Sequence, residues 1–383
     1  MRLKPWQRFL QLESSSGIIL FGMALMAMVW ANSPLAFLQQ RFVDTFLFII
    51  NDGLMAIFFL VVGLELKKAF ISGQLSRFSE VALPLVAAFG GMLVPACVYW
   101  VVNRHDPVSV QGWTTPVATD IAFALAALSI FGKRVPAALK LFLLMLAIFD
   151  DLGAILVIAI FYTSGIECSF LMVAGFFLLL LYLFNVYSIR SLPLYLLAGV
   201  GLWLSLLYAG IHPTIAGVLL GLMVPGKGGK QARSPLHRLE AFLHPYVAYF
   251  IMPLFALANA GFDLHALSRD KWWLDTVVMG IALGLFLGKQ IGVLGFSWLL
   301  TRLRLAKLPE KSTWLSFYGV AILCGIGFTM SLFLGTLSFQ TEGSIYLAKV
   351  RLGVLLGSTL SGLVGVAVFF LASGQLNRRK RIG

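Results

Sequence analysis

The chain has 383 residues, of which 60% are hydrophobic and only 12% charged, and its mean hydropathy is +0.92. A soluble globular chain carries about 45–50% apolar and roughly 25% charged residues. The composition therefore excludes a soluble globule and a disordered chain. With cysteine only at Cys97, Cys168 and Cys324, and no ligand-like spacing, it also excludes a disulfide scaffold and a zinc site. What remains is an all-α polytopic membrane protein whose first partner is the lipid bilayer.

A membrane helix needs about 20 apolar residues, and the chain has room for about twelve. They are predicted near 12–31, 46–72, 82–103, 108–130, 137–162, 169–188, 192–208, 211–224, 236–259, 276–300, 316–339 and 346–372. No stretch between them is long enough for a soluble domain, so 1–383 reads as a single transmembrane domain. The first segment follows Arg2, Lys4 and Arg8. Its apolar run continues to Trp30 without a small-residue cleavage site, so it reads as a retained helix rather than a signal peptide. The second segment carries Asp52 beside Asn51, either a funnel residue or a polar helix start, and then Glu65. In the fourth, Pro116 removes a backbone donor and clashes with the preceding turn, so a break is predicted near Thr119, just before Asp120. The fifth holds Asp150 and Asp151 close to its middle. Neighbours on a helix point about 100° apart, so one faces a cavity while the other turns toward a neighbouring helix. His212 lies between the two shortest segments, either a structural histidine or a functional one. The tenth segment carries Lys289, and the eleventh is interrupted by Cys324-Gly325-Ile326-Gly327-Phe328-Thr329.

Charge inside the apolar segments carries the functional signal. A charge at the bilayer centre costs about 2.5–3.5 kcal/mol even on the lenient insertion scale, so Asp52, Glu65, Asp120, Asp150, Asp151 and Lys289 are functional candidates. One structural ion pair accounts for Lys289 and a single carboxylate, not for three carboxylates near mid-membrane. Two interrupted helices in one chain point to a binding site at the midplane, where half-helix ends meet. Their dipoles call for an anion such as Asp120 near the facing N-termini and a cation such as Lys289 near the facing C-termini. The Lys and Arg residues sort by side. With the N-terminus in the cytoplasm, 22 fall on the cytoplasmic side and 4 on the other. That asymmetry predicts an even number of spans with both termini inside, and it makes the net charge of +13 a topology signal rather than a sign of nucleic-acid binding.

Several motifs carry a family resemblance: 117–124 (VATDIAFA), 147–154 (AIFDDLGA), Gly288-Lys289 and 324–330 (CGIGFTM), with 50–56 (INDGLMA), 62–67 (VGLELK) and His244-Pro245. Together, in order along nearly the whole chain, they resemble the NhaA-type sodium/proton antiporters. The resemblance implies inverted repeats with two broken helices crossing at mid-membrane, Pro116, Gly325 and Gly327 lying at the crossing. It implies that Asp150 and Asp151 bind Na⁺, with Asp151 the main carboxylate and Asp150 paired to Lys289, and that Asp120 and Thr119 line the crossing. It places Glu65, Lys68, Arg238, Glu240 and His244 in a cytoplasmic pH-response cluster and links His212 to the same response. The chain departs from the pattern at Ala69 and Ala241, which stand where a familiar member of the family has Glu and His, so a shifted or differently built pH response is expected. The connection 32–45 is short for the hairpin that supports homodimers in the family.

The expected function is thus electrogenic, pH-regulated export of Na⁺ or Li⁺ against entering protons, two per cation, across a bacterial inner membrane, for pH homeostasis and salt tolerance, with no cofactor and no enzymatic activity. A passive cation channel is the nearest rival. An intramembrane Asp-dependent enzyme fits less well: Asp150-Asp151-Leu152-Gly153-Ala154 lacks the third Asp of a DDxxD diphosphate site, and Gly325-Ile326-Gly327 is followed by Phe328 rather than by the Asp of a GxGD protease motif.

Overall fold

The computed structural model describes residues 15–72, 78–163, 165–226, 234–263 and 272–382. Of the residues used in the topology count, Arg2, Lys4, Arg8, Arg77, Lys227, Lys230, Arg233, Arg269 and Lys271 lie outside it, as do His265 and the side chains of Lys133, Arg378, Arg379, Lys380 and Arg381. Among the described residues there is helix and no strand. The helices are α1 (Ser15–Ala31), α2 (Ala36–Ile71), α3 (Phe78–Asn103), a 3-10 helix (Ser109–Val117) followed by α4 (Ile121–Ser129), α5 (Ala137–Phe161), α6 (Cys168–Val186), α7 (Leu192–Tyr208), α8 (Thr214–Met223), α9 (Pro235–Asn259), α10 (Thr276–Arg302), α11 (Trp314–Leu323), α12 (Phe328–Ser338) and α13 (Ser344–Ile382). Seven of them are long and apolar enough to cross a bilayer, and α11 with α12 makes an eighth span bent by 43°. The short α1, α7 and α8 and the interrupted 109–129 segment fill the remaining predicted positions.

Two predicted boundaries move. Helix α2 begins at Ala36 rather than near 46, so most of the 32–45 connection is helix. Gln39, Gln40, Arg41 and Asp44 end the apolar run there, but residues 36–48, beyond Pro34, contain neither Gly nor Pro to break a helix. Helix α13 runs on past 372 to Ile382: the added stretch contains no proline and the single Gly374 does not end the helix. Three helices also contain π turns that no apolar pattern announces: Ile49–Leu54, Val247–Ile251 and Gly284–Gly288.

The chain divides into two compact units, 1–37 with 78–154 and 259–383, and 38–77 with 155–258. Lipid tails are as apolar as Leu, so helix association inside a membrane rests on close packing of small residues. In the first unit α3 lies on α10 at Gly292, where a Cβ would sit 2.1 Å from the Gly90 carbonyl oxygen. In the second unit α8 lies on α2 at Gly217, where a Cβ would sit 2.1 Å from the Ala56 carbonyl oxygen. Larger residues at either place would force the backbones apart. At the mouth of the 3-10 helix, Ser109 Oγ donates to Asp106 Oδ2 at 2.5 Å and the Val108 amide to Oδ1 at 3.1 Å. The Ser109 hydroxyl first, and then this amide, hold the Asp106 carboxyl below its ordinary range.

Candidate functional site

The first unit contains both helix breaks and the residues around them. The 3-10 helix ends at Val117 and α4 begins at Ile121, with Ala118, Thr119 and Asp120 between them. Helix α11 ends at Leu323 and α12 begins at Phe328. The two irregular segments touch directly. The Asp120 amide donates to the Ile326 carbonyl at 2.7 Å, and Thr119 Oγ1 lies 2.9 Å from the Cys324 carbonyl. A Cβ on Gly327 would meet Ser331 Oγ at 2.1 Å and the Ala118 carbonyl at 2.9 Å, and one on Gly325 would meet the Leu285 carbonyl and Ser361 Oγ, each at 2.4 Å. Glycine at 327 thus lets the two segments meet, and glycine at 325 lets this segment lie against α10 and α13. Pro116 lies one residue before the end of the 3-10 helix and packs against Gly284 of α10.

Breaking a helix in a membrane leaves backbone N–H groups without partners, and each must be satisfied. Asp120 does this for both half-helices. As N-cap of α4 its Oδ1 accepts the Phe123 amide at 3.2 Å, while Oδ2 accepts the Thr329 amide of α12 at 3.1 Å and the Thr329 hydroxyl. One buried carboxylate thus sits at two positive helix ends, as the dipole argument requires. Thr329 belongs to the quoted motif, yet no pattern assigned it a role; its place in the first turn of a half-helix is the signal that could have. Ser358 Oγ accepts the Phe328 amide at 3.2 Å, which nothing in the sequence indicated.

Beside the crossing lies an ion pair. Lys289 Nζ is 2.6 Å from Asp150 Oδ2, and Thr119 Oγ1 approaches the same oxygen at 2.6 Å. Asp150 and Lys289 are both 0% exposed, and Asp151, the next residue on α5, is 1% exposed. The other Asp150 oxygen, Oδ1, has no hydrogen-bond partner among the described residues. Lys289 follows the π turn of α10, a local widening that recurs at functional positions. The structure therefore gathers Thr119, Asp120, Asp150 and Lys289 with the Pro116, Gly325 and Gly327 breaks, and Asp151 follows Asp150 on α5, buried. Carboxylate and hydroxyl oxygens are hard donors suited to a small, hard cation.

The second unit holds the remaining candidates. Lys68 Nζ is 2.7 Å from Glu240 Oε1. Glu65 is half-buried one turn before Lys68, while Arg238 and His244 are exposed on α9. Asp52, on the π turn of α2, comes within 3.7 Å of His212 through Oδ1 and Nε2, and His212 Nδ1 lies 2.8 Å from Thr214 Oγ1. Trp203 Nε1 donates to the Asp52 carbonyl at 3.1 Å. This pairing of Asp52 with His212 joins residues 160 apart and was not legible in the sequence.

Comparison with known proteins now bears on these residues. The family described as Na⁺/H⁺ antiporter 1 matches residues 7–369. A Na⁺/H⁺ antiporter NhaA of Pseudomonas putida is 47% identical, covering 98% of each chain. The NhaA protein of Nitrobacter hamburgensis is 48% identical over 95% of this chain and 91% of its own. That of Vibrio cholerae is 45% identical over 95% of this chain and 97% of its own. A profile that spans both helix breaks and the buried pair, with relatives of nearly equal length, fixes the classification: the chain belongs to the Na⁺/H⁺ antiporter 1 family.

Proposed function

We propose that the chain exchanges Na⁺ or Li⁺ for protons across a bacterial inner membrane, both termini in the cytoplasm, and that the cation and the protons use the same carboxylates, Asp150 and Asp151. The observation that carries this reading is the fully buried Lys289–Asp150 pair beside the crossing, with Thr119 on the shared oxygen. A cation reaching Asp150 competes for an oxygen that the ammonium already holds, so binding requires Lys289 to let go and give up its proton, leaving a neutral amine. Asp151 supplies the second carboxylate, and Thr119 supplies a neutral oxygen. Refilling the site without the cation takes either two protons on the carboxylates or one on Asp151 and one on Lys289. Either route brings in two protons per cation, so one net positive charge enters per cycle, worth about 2.3 kcal/mol per 100 mV of membrane potential.

Asp120 serves this reading as the fixed anion that holds the two half-helices together. The Lys68–Glu240 pair with Glu65, Arg238 and His244, and separately the Asp52–His212 pair, are the places where pH would act on the second unit. Ala69 and Ala241 lack ionisable groups, so the pH profile should be shifted. A homodimer would have to form through helical faces, because residues 36–48 are helix and leave no hairpin there.

The test is transport by the purified chain in proteoliposomes, with voltage clamped by potassium and valinomycin. An exchanger moves protons outward against their own gradient when sodium is imposed, and its rate follows voltage. Proton flux that never exceeds passive leak under a sodium gradient would point to a channel and remove the reading.

A further inference from the structure

The first unit carries a groove that neither the ion site nor the helix breaks require. Its volume is about 550 Å³, and it runs between α1, α4 and α13, with Ile326 and Phe328 at its floor. Helix α1 buries Leu20, Ala24 and Ala27 along one side, and the groove follows the neighbouring side that carries Ile18, Phe21, Leu25 and Met28. Near one end Gly17 meets Ala126, where a Cβ would come within 2.3 Å of the Ala126 Cβ. Near the other, Met28 packs on the cluster of Phe262 and Leu352, and Asn32 donates to the Phe262 carbonyl at 3.0 Å. From Gly17 to Met28 the helix rises about 16 Å. One leaflet of a bilayer's hydrocarbon core is about 15 Å.

The walls are carbon: Phe21 and Leu25 of α1 and Leu363 of α13 are half to two-thirds exposed. The hydroxyls of Ser358 and Thr359 are the groove's polar side-chain groups, and that of Ser358 already accepts the Phe328 amide. A groove of this length and chemistry takes hydrocarbon rather than water or an ion. We infer that the groove binds one acyl chain of a membrane phospholipid, which lies between α1 and α13 against the outer side of the crossing. Its floor gives the chain a consequence. Phe123 and Phe328 meet edge-on with ring centres 5.0 Å apart, and they belong to the first turns of the two half-helices tied by Asp120. A chain in the groove covers both rings and keeps water from the Ser358–Phe328 hydrogen bond.

The experiment uses the full chain in liposomes of phosphatidylethanolamine and phosphatidylglycerol doped with a phosphatidylcholine that carries a diazirine in the middle of one acyl chain. After irradiation, labelled peptides are counted by mass spectrometry, a readout that does not depend on transport. Peptides covering 15–31 and 355–366 should be labelled several-fold more than the lipid-exposed faces of α6 and α7. Gly362→Phe fills the groove with little strain, since a Cβ there has only Ile326 Cδ1 nearby, at 3.7 Å. It should reduce that labelling at least five-fold. Ala127→Phe, reaching in from α4, should do the same and stands as the second variant if the first fails to fold. Labelling no higher than on α6 and α7, labelling unchanged in the folded variants, or cross-links joining two copies of the chain through α1 or α13 would each overturn the proposal.

Discussion

Replacing Lys289 with Met removes the ammonium from Asp150 and keeps a side chain of similar length. The structure sets the scale of the effect. Asp150 is 0% exposed and its Oδ2 holds the Lys289 ammonium and the Thr119 hydroxyl, so the variant leaves a buried carboxylate with one neutral partner. Breaking a buried pair on one side costs about 3–5 kcal/mol, whereas replacing both members by neutral groups of similar volume is close to neutral or stabilising. Asp150→Asn supplies such a group, since its side-chain oxygen can still accept from Thr119. The double variant Asp150→Asn/Lys289→Met should therefore recover most of the loss, and the cycle should give a coupling of at least about 3 kcal/mol, the top of the range for residues in direct contact. Lys289→Met, Asp150→Asn, the double variant and the parent would be unfolded reversibly in mixed detergent micelles by titrating sodium dodecyl sulfate, with helicity as the signal. Lys289→Met unfolding at the parent's midpoint, or a double variant as unstable as the single one, would refute the reasoning.

Three further outcomes follow. Asp151→Asn should abolish sodium-dependent proton flux while leaving the parent's monodisperse elution and helicity, measured by proteoliposome fluorescence and size-exclusion chromatography. Gly292→Ala places a methyl 2.1 Å from the Gly90 carbonyl and should cost about 1–3 kcal/mol or more in the same detergent titration, whereas Gly295→Ala, with nothing within 4 Å of its Cβ position, should be silent. The depressed titration of Asp106 means that its Ser109 contact helps the fold above the ordinary carboxylate range and is lost as pH falls through the lowered value. Ser109→Ala should accordingly move the Asp106 carboxyl titration upward, read from its ¹³C shift.

Those parts of the fold that follow from local chemistry could be read from the sequence. Pro116 and the Gly325–Gly327 pair mark the breaks because a missing N–H and a missing Cβ act on their own segments. Asp150, Asp151 and Lys289 stand out because apolar runs surround them. What escaped depends on partners distant in the chain or on polar residues that mask a helix. The helical stretch 36–48 hides behind Gln39, Gln40, Arg41 and Asp44. The π turns before Met55 and Lys289 leave the hydrophobic pattern unchanged. The Asp52–His212 approach, the capping of Phe328 by Ser358 and the double role of Asp120 toward Thr329 exist only once separate helices are brought together. Within the expected pH-response group, Lys68 and Glu240 form a pair, while Arg238 and His244 point outward from α9, so resemblance alone did not distinguish paired members from exposed ones.

Shared use of Asp150 and Asp151 by the cation and the protons is the central claim, and proton release on cation binding tests it most directly. The purified protein, in weakly buffered detergent solution at a pH where it binds sodium, would be titrated with NaCl while released protons are counted with a pH dye and bound sodium by isothermal calorimetry. The account predicts close to two protons released per sodium bound by the parent chain, and neither sodium-linked release nor saturable sodium binding for Asp151→Asn. Saturable sodium binding with no proton release, or release that persists unchanged in Asp151→Asn, would contradict it.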